Sequence, residues 1–223
     1  MVDKPPASAA PPDPQALRDL LGALAYGELS AFDRLGQDAR LAPTLAGRVA
    51  LAQMAVLEFG HYRLLTERLA ALGADPAAAM EPFVAALDRF HELTTPADWL
   101  EGMVKAYVGD GLAGDFYREV AEFVDPATRE LIIEVLADTG SSAFAVREVR
   151  AAVAATPALA GRLALWGRRL VGEALSQTQH VLAERDALAE LLMRGMGDLA
   201  GISALITQIT DRHTARMTEL GLG

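Results

Sequence analysis

The chain has 223 residues, with 20 basic and 30 acidic side chains, a formal net charge of −10 and no cysteine. The length is enough to bury a full hydrophobic core, and the lack of cysteine excludes disulfides, iron–sulfur clusters and thiol nucleophiles. The acidic balance disfavours a general nucleic-acid or membrane binder. No apolar run reaches the ~18 residues that a membrane-spanning helix needs. Residues 1–12 predict a proline-rich disordered tail without a signal-peptide core, so we expect a cytoplasmic protein.

Helix start signals recur along the chain, because an aspartate or a threonine stands directly before a proline at several points. Asp13, Asp75 and Asp125 each precede a proline, and so do Thr95 and Thr156. Such a side chain caps the free N–H groups of the first helical turn, and proline loses nothing at the first helical position. Between these points Ala, Leu, Arg and Glu dominate, and alternation typical of strands is rare. The pattern predicts helices at about 14–36, 43–72, 76–92, 97–123, 126–155, 157–194 and 198–220.

The long helices and short turns predict an all-α fold, a bundle of antiparallel helices. We expect a single helical domain over residues 13–223. Residues 14–155 would form the main bundle, and residues 157–220 would add C-terminal helices. These additional helices favour a compact monomer or homodimer.

Four of the predicted helices carry an acidic residue within their apolar stripe, near mid-length. These residues are Glu28, Glu58, Asp110 and Asp138, and His61 lies in the same stripe as Glu58. A buried unpaired carboxylate is costly and converging carboxylates repel each other, so positive charge must compensate them. Two divalent ions would balance four carboxylates, whereas one histidine would not. The pattern therefore predicts a metal centre, with a buried ion pair or solvated acids as the alternatives.

The segment Glu58-Phe59-Gly60-His61 places a carboxylate and an imidazole on one helix face. A glutamate followed three residues later by a histidine is the pattern of ferritin-like di-iron bundles. Gly27-Glu28 recurs about 80 residues later as Gly109-Asp110, and Glu58–His61 recurs at a similar offset as Asp138-Thr139-Gly140-Ser141. The near-constant offset predicts two duplicated helix pairs. The glycine near each acid indicates either close packing or room for a ligand.

At these residues the chain resembles the ferritin-like superfamily, and within it the tRNA 2-methylthio-isopentenyladenosine hydroxylase-like proteins of actinobacterial type. The stretches that carry the resemblance are residues 25–29, 58–61, 98–101, 107–111, 136–140 and 166–175. The resemblance implies a four-helix bundle with a non-haem di-iron site. It also implies that this site activates O₂ and hydroxylates an unactivated C–H bond, which in the family's namesake belongs to a modified adenosine of tRNA.

The resemblance also implies a role for each acidic residue. Glu28 would be a terminal ligand, Glu58 would bridge the two irons, and His61 would bind the first iron. Asp110 would take the place of the third helix's glutamate, and Asp138 that of the second bridging glutamate.

The match to the family breaks at Ser141, where the family pattern has its second histidine. A neutral hydroxyl is a poor iron ligand beside an imidazole. The second iron position is therefore expected to be incomplete, with two irons per chain if the site is intact and one or none if it has decayed. Three functions stay open: a di-iron hydroxylase, a catalytically decayed binding or scaffold protein, and a ferroxidase or iron-storage protein.

Four further residues lie near the predicted ligands in sequence: Tyr107, Asp115, Glu119 and Glu173. Asp115 and Glu119 are expected to be solvated acids, with substitute carboxylates for the metal as the alternative. Glu173 is expected to form an ion pair with a neighbouring arginine, with support of a ligand as the alternative. Tyr107 is expected to pack in the core, with a hydrogen bond to a ligand as the alternative.

Five arginines against one acid lie between Arg147 and Arg169. This local excess of positive charge would contact a tRNA backbone, with a solvated face or an internal ion-pair network as the alternative. A small molecule is the other substrate class that stays open, and the electron donor is unidentified.

The remaining histidines, His91, His180 and His213, have no partner at ligand spacing. Each is expected to lie at the surface or to cap a helix.

Overall fold

The computed structural model describes residues 13–137 and 141–223, with Ser141 described by its backbone only. Over these residues the chain forms nine α-helices and no strand, which confirms the all-α prediction. A short 3₁₀ turn, Ala39–Leu41, joins the first two helices. The helices are α1 (Pro14–Asp38), α2 (Leu45–Ala71), α3 (Pro76–Leu93), α4 (Trp99–Ala121), α5 (Pro126–Val135), α6 (Ser141–Ala155), α7 (Leu159–Glu184), α8 (Asp186–Met196) and α9 (Leu199–Glu219).

The three Asp-Pro signals mark helix starts as predicted. Asp13, Asp75 and Asp125 each accept a hydrogen bond from a backbone N–H in the first turn of α1, α3 and α5. The two Thr-Pro signals miss by a few residues. Asp98 caps α4 instead of the upstream threonine, in keeping with the stronger capping by aspartate, and α7 begins only at Leu159.

The helix predicted over residues 126–155 is interrupted. Its first part, α5, ends at Val135, and the carbonyl of Leu136 accepts a hydrogen bond from Arg118 Nη2 at 2.8 Å instead of continuing the helix. Leu136 and Ala137 lie outside the helix, and the described chain is helical again from Ser141.

The helix predicted over residues 157–194 is also divided, at Arg185. The backbone of Arg185 leaves the helical conformation, with φ −122° and ψ 79°. Its guanidinium group makes two hydrogen bonds to the buried carboxylate of Asp19 on α1. This long-range ion pair holds the start of α8 against α1.

The helices pack in two neighbouring core clusters. The first cluster joins parts of α1, α2, α4, α6, α7 and α9, with Met103 and Leu170 among its fully buried members. The second joins parts of α1 to α5 and α8, with Leu20 and Phe83 fully buried. Because α7 contacts both α3 and α4, and α8 packs on α1, the helices after residue 157 contribute to both clusters. None of the described helices is long and apolar enough to cross a membrane.

Candidate metal centre

Glu28 on α1 and the pair Glu58 and His61 on α2 come together where these two helices pack side by side. Their potential ligand atoms all lie within 4.8 Å of one another. His61 Nδ1 is 3.4 Å from Glu28 Oε2 and 3.7 Å from Glu58 Oε2. In the described part of the chain this is the one group of three or more metal-ligating side chains at such distances. We call these three residues the trio.

The trio balances its own charge without help from arginine or lysine. Among the described residues, His61 is the one basic group within 4 Å of the Glu28 or Glu58 carboxylate. Burial, together with the neighbouring Glu58 carboxylate, holds the pKa of Glu28 well above its usual range. Hydrogen bonds to Glu28 and Glu58 raise the pKa of His61 to about 10.

Burial also acts to raise the pKa of Glu58, but hydrogen bonds with His61 and Glu28 outweigh it and the pKa is lowered. In the absence of a metal, these directions favour a proton on Glu28 over one on Glu58, and a positive charge on His61. A divalent cation would replace these protons, and two carboxylates with one imidazole are ligands that suit iron, manganese or zinc.

The trio lies in the wall of a cavity of about 570 Å³. Apolar side chains from at least six helices form most of the wall, among them Leu24, Phe83, Leu112, Leu188 and Ile209. This volume falls in the range of small-molecule binding sites, which are mostly apolar with a few placed polar groups.

The glycines beside the predicted ligands leave open space. A Cβ atom added at Gly27, Gly60 or Gly109 would meet no atom within 4 Å. Gly27 and Gly109 both line the cavity. Of the two interpretations drawn from the sequence, room is therefore confirmed at these three positions and close packing is wrong.

Of the predicted ligands in the second half, the structure describes the side chain of Asp110 alone. Asp110 on α4 lines the cavity, but its carboxylate does not join the trio within 4.8 Å. Asp138 lies outside the described residues, and so does the side chain of Ser141. The assignment of all three to a second metal position stays a prediction.

Asp115 and Glu119 are paired with arginines of α9. Asp115 is 5% exposed; its Oδ2 accepts a hydrogen bond from Arg216 Nη2 at 2.6 Å and its Oδ1 one from Arg212 Nη1 at 3.3 Å. Arg212 also donates to Glu119 Oε1 at 3.2 Å. The expectation that these acids are solvated is wrong for Asp115, because its carboxylate is buried and paired with two arginines. These arginines come from about 100 residues further along the chain.

Glu173 differs from its sequence-based interpretations, whereas Tyr107 belongs to the first core cluster, which confirms core packing. Glu173 does not line the cavity, and it has no basic side chain within 4 Å among the described residues, so the expected ion pair with a neighbouring arginine is wrong there. Tyr107 does line the cavity, and its hydroxyl donates a hydrogen bond to Glu219 Oε2 at 2.6 Å. This contact ties α4 to the end of α9.

Part of the arginine-rich stretch serves internal contacts. Arg162 donates hydrogen bonds to Asp98 and Glu101 at the start of α4. Arg150 donates to the carbonyl of Glu219 at 3.1 Å. Contact with a tRNA backbone through the remaining arginines stays a prediction.

A second polar group lines the cavity, and the sequence analysis missed it. We call it the polar end; its members are Ser30, Arg34 and Asp38 on α1, His91 on α3 and Lys105 on α4. His91 and Lys105 are only 8% and 7% exposed. A signal was present, because the sequence has only two lysines and Lys105 alone lies in the helical region, while the three α1 residues recur every four positions.

The histidines outside the trio are only partly as expected. His180 is exposed, as predicted. His91 and His213 are buried, so the expectation of a surface or capping position is wrong for both. His91 Nε2 lies 3.2 Å from Ser30 Oγ.

Comparison with known proteins assigns most of the chain to a protein family. A family model described as a ferritin-like domain of actinomycetes matches residues 13–195, more than half of the chain. The match includes α1 through α7 and almost all of α8, and it confirms the ferritin-like fold expected from the sequence. A comparison with curated proteins gave no match.

Proposed function

We propose that this chain, which belongs to the ferritin-like domain family of actinomycetes, is an iron-dependent hydroxylase that acts on an apolar group held in its central cavity. The observation that carries the proposal is the position of the trio in the cavity wall. Ferritin-like bundles use inward-facing carboxylates and histidines of this kind to bind iron. An apolar cavity beside such residues favours oxidation of a bound molecule over simple metal storage.

Glu28, Glu58 and His61 would hold the first iron. Asp110 and Asp138 would serve a second iron, with Ser141 leaving that position short of one imidazole. Iron bound there would supply O₂ activation. The protein itself would exclude water by the apolar wall and orient the substrate so that one C–H bond lies next to the trio.

The hydroxylase assignment draws on the resemblance to tRNA-modifying hydroxylases. A tRNA substrate would insert one modified base into the cavity while exposed arginines between Arg147 and Arg169 contact the phosphates. A free small molecule would need the cavity alone. The two substrate classes differ in salt dependence, because only the tRNA complex should weaken steeply as salt is raised.

A metal-free binding protein is the second candidate, and one observation favours it. His61 Nδ1 lies 3.4 Å from Glu28 Oε2 and 3.7 Å from Glu58 Oε2, so a protonated imidazole pairs with both carboxylates without a metal. Such a protein would use the same cavity and would bind its ligand without iron.

Iron binding distinguishes the two candidates. The full chain is loaded anaerobically with Fe²⁺, passed over a desalting column and assayed for iron per chain. We expect at least one iron in the wild type and its loss in Glu58→Gln and His61→Gln. Glu67→Gln is the matched control, because Glu67 lies on the same helix with its side chain 65% exposed. Ser141→His should raise the iron content towards two.

Wild-type protein that retains no iron under conditions that load an ordinary di-iron protein would leave the metal-free candidate standing. Equal iron content in Glu58→Gln and the wild type would show that iron binds elsewhere.

A further inference from the structure

Lys105 is a buried cation without a counter-ion in contact. Its side chain lines the cavity, and the residue is only 7% exposed. The ammonium group donates one hydrogen bond, to the carbonyl of Thr94 at 2.8 Å. No carboxylate of the described residues lies within 4 Å of it. The Phe90 ring centroid lies 5.5 Å from the ammonium nitrogen, but a buried charge stays costly unless a group of opposite charge pairs with it.

His91, beside Lys105, presents a buried acceptor without a donor. Ser30 Oγ donates to the carbonyl of Gly27 at 2.9 Å, so it accepts the remaining hydrogen bond from His91 Nε2. The ring then has a lone pair on Nδ1, and Nδ1 has no partner among the described residues. Two independent groups at the polar end are therefore incomplete without a ligand or water.

The charges at the polar end suit a single negative charge. Arg34, like Lys105, has no carboxylate within 4 Å among the described residues. Asp38 lies close enough to interact electrostatically with both cations. Two cations and one acid leave an excess of one positive charge, and Asp38 would repel a doubly charged group such as a phosphate monoester.

Arg34 and Asp38 of the polar end lie further along α1 than Glu28 of the trio. Arg34 and Asp38 follow Glu28 on α1 by six and ten residues, which corresponds to about 9 and 15 Å along the helix axis. Ala31 and Leu35 line the cavity over this interval. A molecule with its charged head at the polar end would therefore extend an apolar body along α1 to the trio.

We propose that the cavity binds an apolar carboxylic acid of medium chain length, with its carboxylate on Lys105 and Arg34 and its distal carbons beside the trio. His91 Nδ1 then accepts a hydrogen bond from a water molecule or a hydroxyl group near the head. Only the statement that the distal carbons are the ones oxidised rests on the proposed function. Binding of the acid itself needs no metal.

A series of head groups on one alkyl chain tests this in the wild-type protein. Binding of decanoate, decanol, decyl phosphate and decyltrimethylammonium to the metal-free full chain is measured by titration calorimetry at pH 7. We expect decanoate to bind at least tenfold more tightly than the other three. Equal affinity for decanoate and decanol would overturn the proposal, and so would preference for decyl phosphate, which would assign the site to phosphorylated compounds instead.

Two variants locate the head group. Lys105→Met keeps the apolar stem and removes the charge, and we expect it to lower the decanoate affinity about tenfold while leaving decanol binding unchanged. Arg34→Met, at a half-buried position, serves the same purpose if Lys105→Met does not fold, with a loss of about threefold. Arg63→Met changes the net charge equally at an exposed position and should bind decanoate like the wild type. Unchanged affinity in both cavity variants would contradict the proposal.

The metal and the acid are tested separately. Co²⁺ binding, followed by its visible absorption, should survive in Lys105→Met and be lost in Glu58→Gln, whereas decanoate binding should show the opposite pattern. Loss of the proposed iron function would thus leave decanoate binding intact, and failure of the decanoate site would leave Co²⁺ binding intact.

Discussion

At the scale of single residues, two histidines in the wall of one cavity differ in charge, one positive and one neutral. Two carboxylates hold the pKa of His61 up to about 10, so its ring is protonated at neutral pH. Burial, together with the positive charges of Lys105 and Arg34, lowers the pKa of His91 to about 3, so its ring is neutral. The same residue type therefore serves as a cation at the trio and as a neutral acceptor at the polar end.

The low pKa of His91 predicts a loss of stability in mild acid. The unfolded chain binds a proton on this ring below about pH 6.5, whereas the folded chain binds it only near pH 3. Because the unfolded state holds more protons between these values, the free energy of unfolding falls as the pH is lowered through this window. From pH 7 to pH 5 the wild type should lose about 2 kcal/mol more than His91→Gln.

Urea unfolding followed by circular dichroism at the two pH values measures this difference. His180→Gln, at an exposed position, should behave like the wild type. Parallel pH dependence in His91→Gln and the wild type would show that the ring is protonated in the folded protein.

At the scale of elements, two glycines of α1 differ in the space around them. At Gly22 a Cβ atom would overlap the carbonyl of Ala79 on α3, so this glycine sets how closely the two helices approach. At Gly27, in the same helix, a Cβ atom would meet nothing within 4 Å. Gly22→Ala should destabilise the protein by about 1–3 kcal/mol through overpacking. Gly27→Ala should stabilise it by up to about 1 kcal/mol through helix propensity.

Thermal and urea unfolding of the two single variants give the comparison directly. Destabilisation by Gly27→Ala as large as that by Gly22→Ala would mean that Gly27 also lies at a close helix contact.

The features that the sequence predicts correctly are local ones. Asp13, Asp75 and Asp125 act on backbone groups within three residues, and the spacing of Glu58 and His61 already places both on one helix face. The pairing of Asp115 with Arg216, and the end of α7 at Arg185, depend on partners about 100 or more residues away. Spacing along one helix carries no information about such partners, which is why these contacts were missed.

The polar end was missed for a related reason. In the sequence, Ser30, Arg34 and Asp38 resemble exposed polar residues of α1. The periodicity of one helix does not show which neighbouring helices cover its polar side. Burial of His91 and Lys105 results from the packing of α3 and α4 with α1 and α7 around the cavity. The scarcity of lysine and the four-residue spacing of the α1 residues were the two signals in the sequence.

At the scale of the whole molecule, the fold maintains a cavity where a bundle would ordinarily pack side chains. Protein interiors are close-packed, and atoms that face a void lose their dispersion contacts. The two core clusters, with fully buried residues such as Leu20 and Met103, therefore have to support the helices around this space. The stability lost to this space is consistent with a ligand site, because a bound ligand restores the missing dispersion contacts.

A larger side chain in the cavity should raise the free energy of unfolding and lower the affinity for a ligand. Ala31 lines the cavity on α1, between Glu28 and Arg34 in sequence. Ala31→Leu adds three carbons there, so it should stabilise the fold by about 1 kcal/mol through apolar burial. The same carbons should occupy the path of the alkyl chain and lower the decanoate affinity at least tenfold, while Co²⁺ binding at the trio stays unchanged. Unfolding in urea and calorimetric titration measure both effects on one preparation, and Ala70→Leu, at an exposed position of α2, is the matched control. If Ala31→Leu bound decanoate as tightly as the wild type, the acid would have to lie outside the interval between Glu28 and Arg34.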